Sequence, residues 1–171
     1  MVAGIVAFVV LGACATSAKT YTVFQDETVP WQEQAMVLMY IQDGYVFRIE
    51  LDGKKERVKN AQFQLSPPVR IIPTGTHTLA VWVSGNNNTG GGKRELKHDF
   101  QTGERYVVLN EIRTRVGLGV IGKNRTEIVP LDQFREKLKD FYPGMHANTI
   151  EFVYNDILSV FTEAENKLNT K

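Results

Sequence analysis

Between residues 36 and 129 the chain is a succession of short apolar runs, each closed by a turn signal, and no segment of helical period interrupts them. The runs are residues 36–42, 45–51, 61–65, 69–72, 77–83, 105–112 and 127–129, rich in β-branched, aromatic and long apolar side chains. Asp43-Gly44, Asp52-Gly53, Pro67-Pro68, Pro73-Thr74-Gly75 and Thr102-Gly103 punctuate them. Asp-Gly suits a two-residue type I′ turn, because glycine takes positive φ with no Cβ to clash. Short strands recurring at such intervals, without crossover helices, predict antiparallel sheets closed into a sandwich or barrel. The expectation is a mainly β fold, an antiparallel β-sandwich of about seven to eight strands. At 171 residues the chain has room for one core of this kind.

The period changes after Pro130. Phe134, Leu138 and Phe141 fall at i, i+4 and i+7 before the stop signal Pro143-Gly144, which predicts a short amphipathic helix. Ile150, Val153, Tyr154, Ile157, Leu158, Phe161 and Leu168 then trace one face of a longer helix, with Asn148 and Glu151 as its expected capped start. Both helices are expected to pack on the sandwich, the second covering an open sheet face.

The N-terminus has a different character. Residues 2–11 are an uninterrupted apolar run, too short to span a bilayer but suited to the hydrophobic region of a signal peptide. Leu11-Gly12-Ala13-Cys14 ends it with the only cysteine of the chain, and this resembles the lipobox of a bacterial lipoprotein. The resemblance implies cleavage before Cys14, a diacylglycerol on its thiol and acylation of the new amino group. Two or more acyl chains suffice for stable anchoring. The implied organisation is a signal peptide at 1–13, a lipidated tether at 14–19 and one domain at 20–171 carrying its helices at 130–171. The implied address is the bacterial cell envelope, and Ala15 lacks the aspartate that in this family often signals retention at the inner membrane.

A second resemblance lies in the β region. Pro73-Thr74-Gly75-Thr76-His77-Thr78-Leu79 is similar to the turn and strand of PEGA-like domains, small β-sandwich modules of bacterial envelope proteins. Phe100-Gln101-Thr102-Gly103-Glu104-Arg105-Tyr106 resembles an F-x-x-G-x-x-Y hairpin of small envelope lipoproteins. Those families imply adhesion, scaffolding or ligand display. In the turn itself, Pro73 presets φ and Gly75 takes the position closed to other residues.

Several motifs bear on chemistry. Residues 117–124, GLGVIGKN, match the core of a phosphate-binding loop. Such a loop needs a Ser or Thr where Asn124 stands and a helix starting at the Gly-Lys. Residues 125–129 read instead as a strand followed by Pro130, so no nucleotide site is expected. His77, His98 and His146 have no metal-ligand spacing, although His77 and His98 would meet on neighbouring strands. No metal or cofactor is expected. No nucleophile elbow occurs, and Asp26, Glu27, Glu104, Glu111 and Glu127 stand singly on strands or turns. Trp82, in an apolar run, is expected in the core beneath a helix, and Trp31, after Pro30 among Gln and Glu, at the surface. The loop at residues 84–93, SGNNNTGGGK, is the one low-complexity stretch and reads as a hairpin tip or a recognition loop. A net charge of +1 argues against a nucleic-acid surface. The expected function is a non-enzymatic binding or scaffolding module, held to the membrane by its N-terminal lipid, with an envelope protein or cell-wall partner. The alternative is recognition of a small ligand or glycan, with Trp31, Asn86, Asn87 and Asn88 at the rim. An envelope hydrolase with strand-borne carboxylates is the third class.

Overall fold

The structure, a computed structural model, describes residues 21–41, 44–58, 69–85, 92–111, 114–116, 119–121 and 125–170. Among the described residues ten strands run in chain order: β1 (Ala35–Ile41), β2 (Gly44–Leu51), β3 (Lys54–Arg57), β4 (Val69–Ile72), β5 (Gly75–Gly85), β6 (Gly92–Phe100), β7 (Arg105–Glu111), β8 (Thr114–Val116), β9 (Gly119–Ile121) and β10 (Arg125–Pro130). Two helices follow, α1 (Phe134–Phe141) and α2 (Ala147–Asn169). The strands make two four-stranded sheets, β10-β7-β1-β4 and β3-β2-β5-β6, and a two-stranded ribbon of β8 and β9. The fold is mainly β, a sandwich with two C-terminal helices packed on it.

Two apolar layers hold it together. Between the sheets lie Val37 and Met39 of β1, Ile49 and Leu51 of β2, Leu79, Val81 and Val83 of β5, and Tyr106 and Val108 of β7. On the other face of the first sheet, Met36, Leu38, Val69, Ile71, Val107 and Leu109 meet Phe134, Leu138, Phe141, Ile150, Ile157, Phe161 and Leu168 of the helices. The order is therefore sheet, sheet, helices. The middle sheet is covered on both sides, which explains why β1 reads AMVLMYI with no polar alternation. The outer sheet is covered on one side, and β6 alternates between half-buried and exposed residues.

The pairing is antiparallel except between β1 and β7, which run parallel with Met36 opposite Arg105 and Met39 opposite Val108. A parallel pair needs a long crossover connection, which is usually a helix. Here the chain between them builds the four strands of the outer sheet and β4 of the middle one, and that excursion is the crossover.

The local geometry at two turns matches the expectation. Asp52 and Gly53 have φ of 47° and 87° and join β2 to β3 as a two-residue hairpin. Gly75 has φ of 103° at the start of β5. Asp43 lies outside the described residues, but β1 and β2 belong to different sheets, so no hairpin joins them. Residues 61–65 and 67–68 also lie outside the described residues. The resemblance to a hairpin at 100–106 is corrected in the same way: β6 ends in the outer sheet and β7 starts in the middle one, so this stretch is a corner. Phe100 and Tyr106 meet edge to face at 5.3 Å across it, and the Gln101 N–H donates to the Tyr106 hydroxyl at 3.0 Å. A second correction concerns α2, whose N-cap is His146; Asn148 lies inside the first turn.

Candidate functional site

Among the described residues the middle sheet is packed on both faces, and the broad surface they leave is the outer face of the sheet β3-β2-β5-β6. Leu79, Val81 and Val83 point into the sandwich, and period two sends Thr78, Ala80 and Trp82 outward. Trp82 is half-buried there, in the sheet layer farthest from the helices. This corrects the expectation of a core tryptophan beneath a helix. The alternation was legible in principle, but Ala80 and Trp82 are themselves apolar and blurred it.

Trp82 belongs to a row that crosses all four strands. Arg57 of β3 is opposite Arg48 of β2, Arg48 is opposite Trp82 of β5, and Trp82 is opposite Lys93 of β6. The Arg48 guanidinium lies 5.4 Å from the Trp82 ring centre and the Lys93 ammonium 5.2 Å from it, distances at which the ring quadrupole attracts a cation. A bulge between Val46 and Arg48 shifts the register so that Arg48 reaches this position. The neighbouring row holds Lys55, Glu50, Ala80 and Glu95. Its charges are paired: Lys55 meets Glu50 at 3.7 Å, and Glu95 reaches back to Lys93 at 2.7 Å. That hydrogen bond holds the Lys93 ammonium above its usual value. Among the described residues neither Arg48 nor Arg57 meets a carboxylate.

The expected meeting of His77 and His98 occurs, since they are opposite one another in β5 and β6. The two rings have separate contacts. His77 Nδ1 is 2.5 Å from Asp52 and its Nε2 is 3.2 Å from the Thr74 carbonyl. His98 stacks edge to face on Phe100 and Tyr106 at 4.9 and 5.0 Å. Its burial pushes the imidazole below its ordinary value, against a smaller opposing effect of the Asp99 charge. Partial burial works to raise the Asp52 carboxyl, but the Thr78 N–H at 2.8 Å and the His77 ring outweigh it and hold it low. No group of three or more His, Cys, Asp or Glu residues arranged for a metal occurs among the described residues.

The carboxylates weighed as acid–base groups are dispersed. Asp26 accepts from the backbone and hydroxyl of Thr28, and Glu127 pairs with Arg125 and Lys137. Glu27 and Glu104 are exposed, and nothing is described of the Glu111 side chain. In GLGVIGKN, residues 119–121 form β9 against β8, and the next described residues are the strand β10. Residues 125–130 are therefore strand, where a phosphate loop requires a helix.

Trp31 opens a 3₁₀ turn and is half-buried against the helix-side core. The adjacent Gln32 carbonyl lies beside Gly103, at the Phe100 end of β6. The strands enter the Asn-Gly loop at Gly85 and Gly92, the other end of the same pair. Asn86, Asn87 and Asn88 lie outside the described residues, as do Leu11, Gly12, Ala13 and Cys14. No helix among the described residues is long and apolar enough to cross a membrane. Compared with models of protein families, with curated proteins and with solved structures, the chain matches none of them.

Proposed function

We propose that this chain is a lipid-anchored protein of the bacterial envelope whose sandwich acts as a non-enzymatic binding or scaffolding module. The observation that carries the reading is the asymmetry of the layers: the helices cover one sheet, and the other presents a broad polar face with a tryptophan at its centre. Rigid strands hold the side chains of such a face in place at little conformational cost on binding. The Leu11-Gly12-Ala13-Cys14 sequence supports the membrane tether.

The test is the intact mass of the N-terminal peptide from membranes of a bacterium expressing the chain, beside Cys14→Ser. Acylated Cys14, absent in the variant, is the expected result. An unmodified peptide that keeps Met1 overturns the anchor. For the module itself, a photo-crosslinker placed at Glu95, on the outward side of β6, should capture an envelope component in cells, and one placed at Glu163, on the outer side of α2, should not. Equal capture at both positions would count against a dedicated face.

A further inference from the structure

We infer that the row Arg57, Arg48, Trp82 and Lys93 is a binding site for an acidic glycan, an inference that rests on the binding-module reading and names its ligand class. Two observations carry it independently. First, Arg57 and Arg48 are direct cross-strand neighbours, and like charges so placed oppose one another. Neither is neutralised by a carboxylate among the described residues, although Glu50 and Glu95 stand one row away and are engaged with Lys55 and Lys93. An anion between the two guanidiniums would convert that repulsion into charge-assisted hydrogen bonds, with the planar fork of each arginine matched to a carboxylate or phosphate. Second, the same row continues onto an indole flanked by cations. A flat aromatic face rimmed by donors suits a sugar ring, whose C–H face packs on the indole while its hydroxyls and acidic groups turn to the rim.

The surrounding charges select among anions. The row spans three strand spacings, about 14 Å, across the outer face of the sheet. A densely charged polymer laid along it would also meet Glu50 and Glu95, whereas a sparsely charged ligand rich in hydroxyls finds acceptors there. The chain's net charge of +1 likewise offers little to a polymer bound mainly by counterion release. The ligand is therefore an acidic polysaccharide with at most one acidic group on each hydroxyl-rich sugar ring.

The test uses the full chain in a non-glycosidic detergent with Trp31→Phe, which leaves Trp82 as the single tryptophan. Oligogalacturonate, a neutral malto-oligosaccharide of matched length and polyphosphate are titrated while Trp82 fluorescence is read. Oligogalacturonate should give a saturable change that the neutral sugar does not. Arg48→Gln and Arg57→Gln should each weaken it about tenfold, the loss of one charged hydrogen bond. Lys97→Gln, outside the row, should leave it unchanged. No saturable change with oligogalacturonate, an equal change with the neutral sugar, or equal loss in Lys97→Gln would overturn the site. Polyphosphate binding as tightly would show that charge alone is recognised and would overturn the glycan assignment. The N-terminal mass measurement stands apart from all of these, so failure of the ligand and failure of the anchor are distinguishable.

Discussion

His98 is held neutral more firmly in the folded chain than in the unfolded one, because burial beside Phe100 and Tyr106 disfavours its charged form. Between its ordinary value of 6.5 and the lowered folded value, the unfolded chain binds more protons, so stability rises with pH across that interval. It is fully present above the ordinary value and is lost as the pH falls toward the folded one. Asp52 acts lower down. Its carboxyl is held below 3.8, so its contribution is present above that value and is lost as the pH falls through the lowered one. Urea midpoints taken stepwise from neutral to acid should show a first decline that His98→Leu removes and a second, more acidic one that it leaves. A single decline near the carboxylate range, unchanged in His98→Leu, would show that His98 titrates alike in both states. The conformations of single residues at turns were legible in advance: Asp52, Gly53 and Gly75 all take the positive φ that their positions require. The surroundings of His98 were not, because they depend on Tyr106, a residue of the opposite sheet.

At the scale of elements, the two sheets are clasped along one edge by a buried ion pair. Arg70 of β4 is 1% exposed, and its guanidinium donates to both carboxylate oxygens of Glu56 on β3, at 2.6 and 2.7 Å. Its remaining nitrogen donates to the Val69 carbonyl at 2.7 Å. Removing one partner of such a pair leaves a buried charge without its counterion, which costs about 3 kcal/mol. Glu56→Ala is therefore expected to lower stability by about that amount in chemical denaturation, with Arg70→Met in the same chain restoring most of it. A loss below about 0.5 kcal/mol in the single variant would mean that water reaches Arg70 and the pair contributes little. Neither residue announces this in the sequence, since β3 reads KKER and resembles a solvated turn. It becomes a strand because the Asp52-Gly53 hairpin folds it back onto β2. The same limit explains why β6 was missed as a run: GKRELKHDF is an edge strand whose outward residues are all charged. The helices were read more fully, because the stripe of α1 and α2 is a one-dimensional pattern and the face it traces is the face buried. Their attachment adds polar contacts outside that stripe, from Arg105 on β7 to Glu165 on α2 and from Glu127 on β10 to Lys137 on α1.

For the whole molecule, the middle sheet is the structural centre. β1 has a hydrogen-bonded neighbour on each side and an apolar layer above and below it. Amides that exchange only on global unfolding are drawn from such places. The amides of residues 37–39 and 107–109 should be the slowest to exchange, those of β3 and β6 markedly faster. Uniform protection across both sheets would mean that the sandwich opens as one unit. The sequence by itself determined the runs that form β1, β2, β4, β5, β7 and β10, the two type-specific turns, the amphipathic helices and the β-then-α order, because each depends on neighbours within a few residues along the chain. Only the tertiary structure decided which sheet each strand enters, that β1 and β7 run parallel, and that Trp82 faces outward in line with Arg48, Arg57 and Lys93. Those outcomes are set by which apolar faces must cover one another. That choice is made between segments tens of residues apart, where no local pattern carries it.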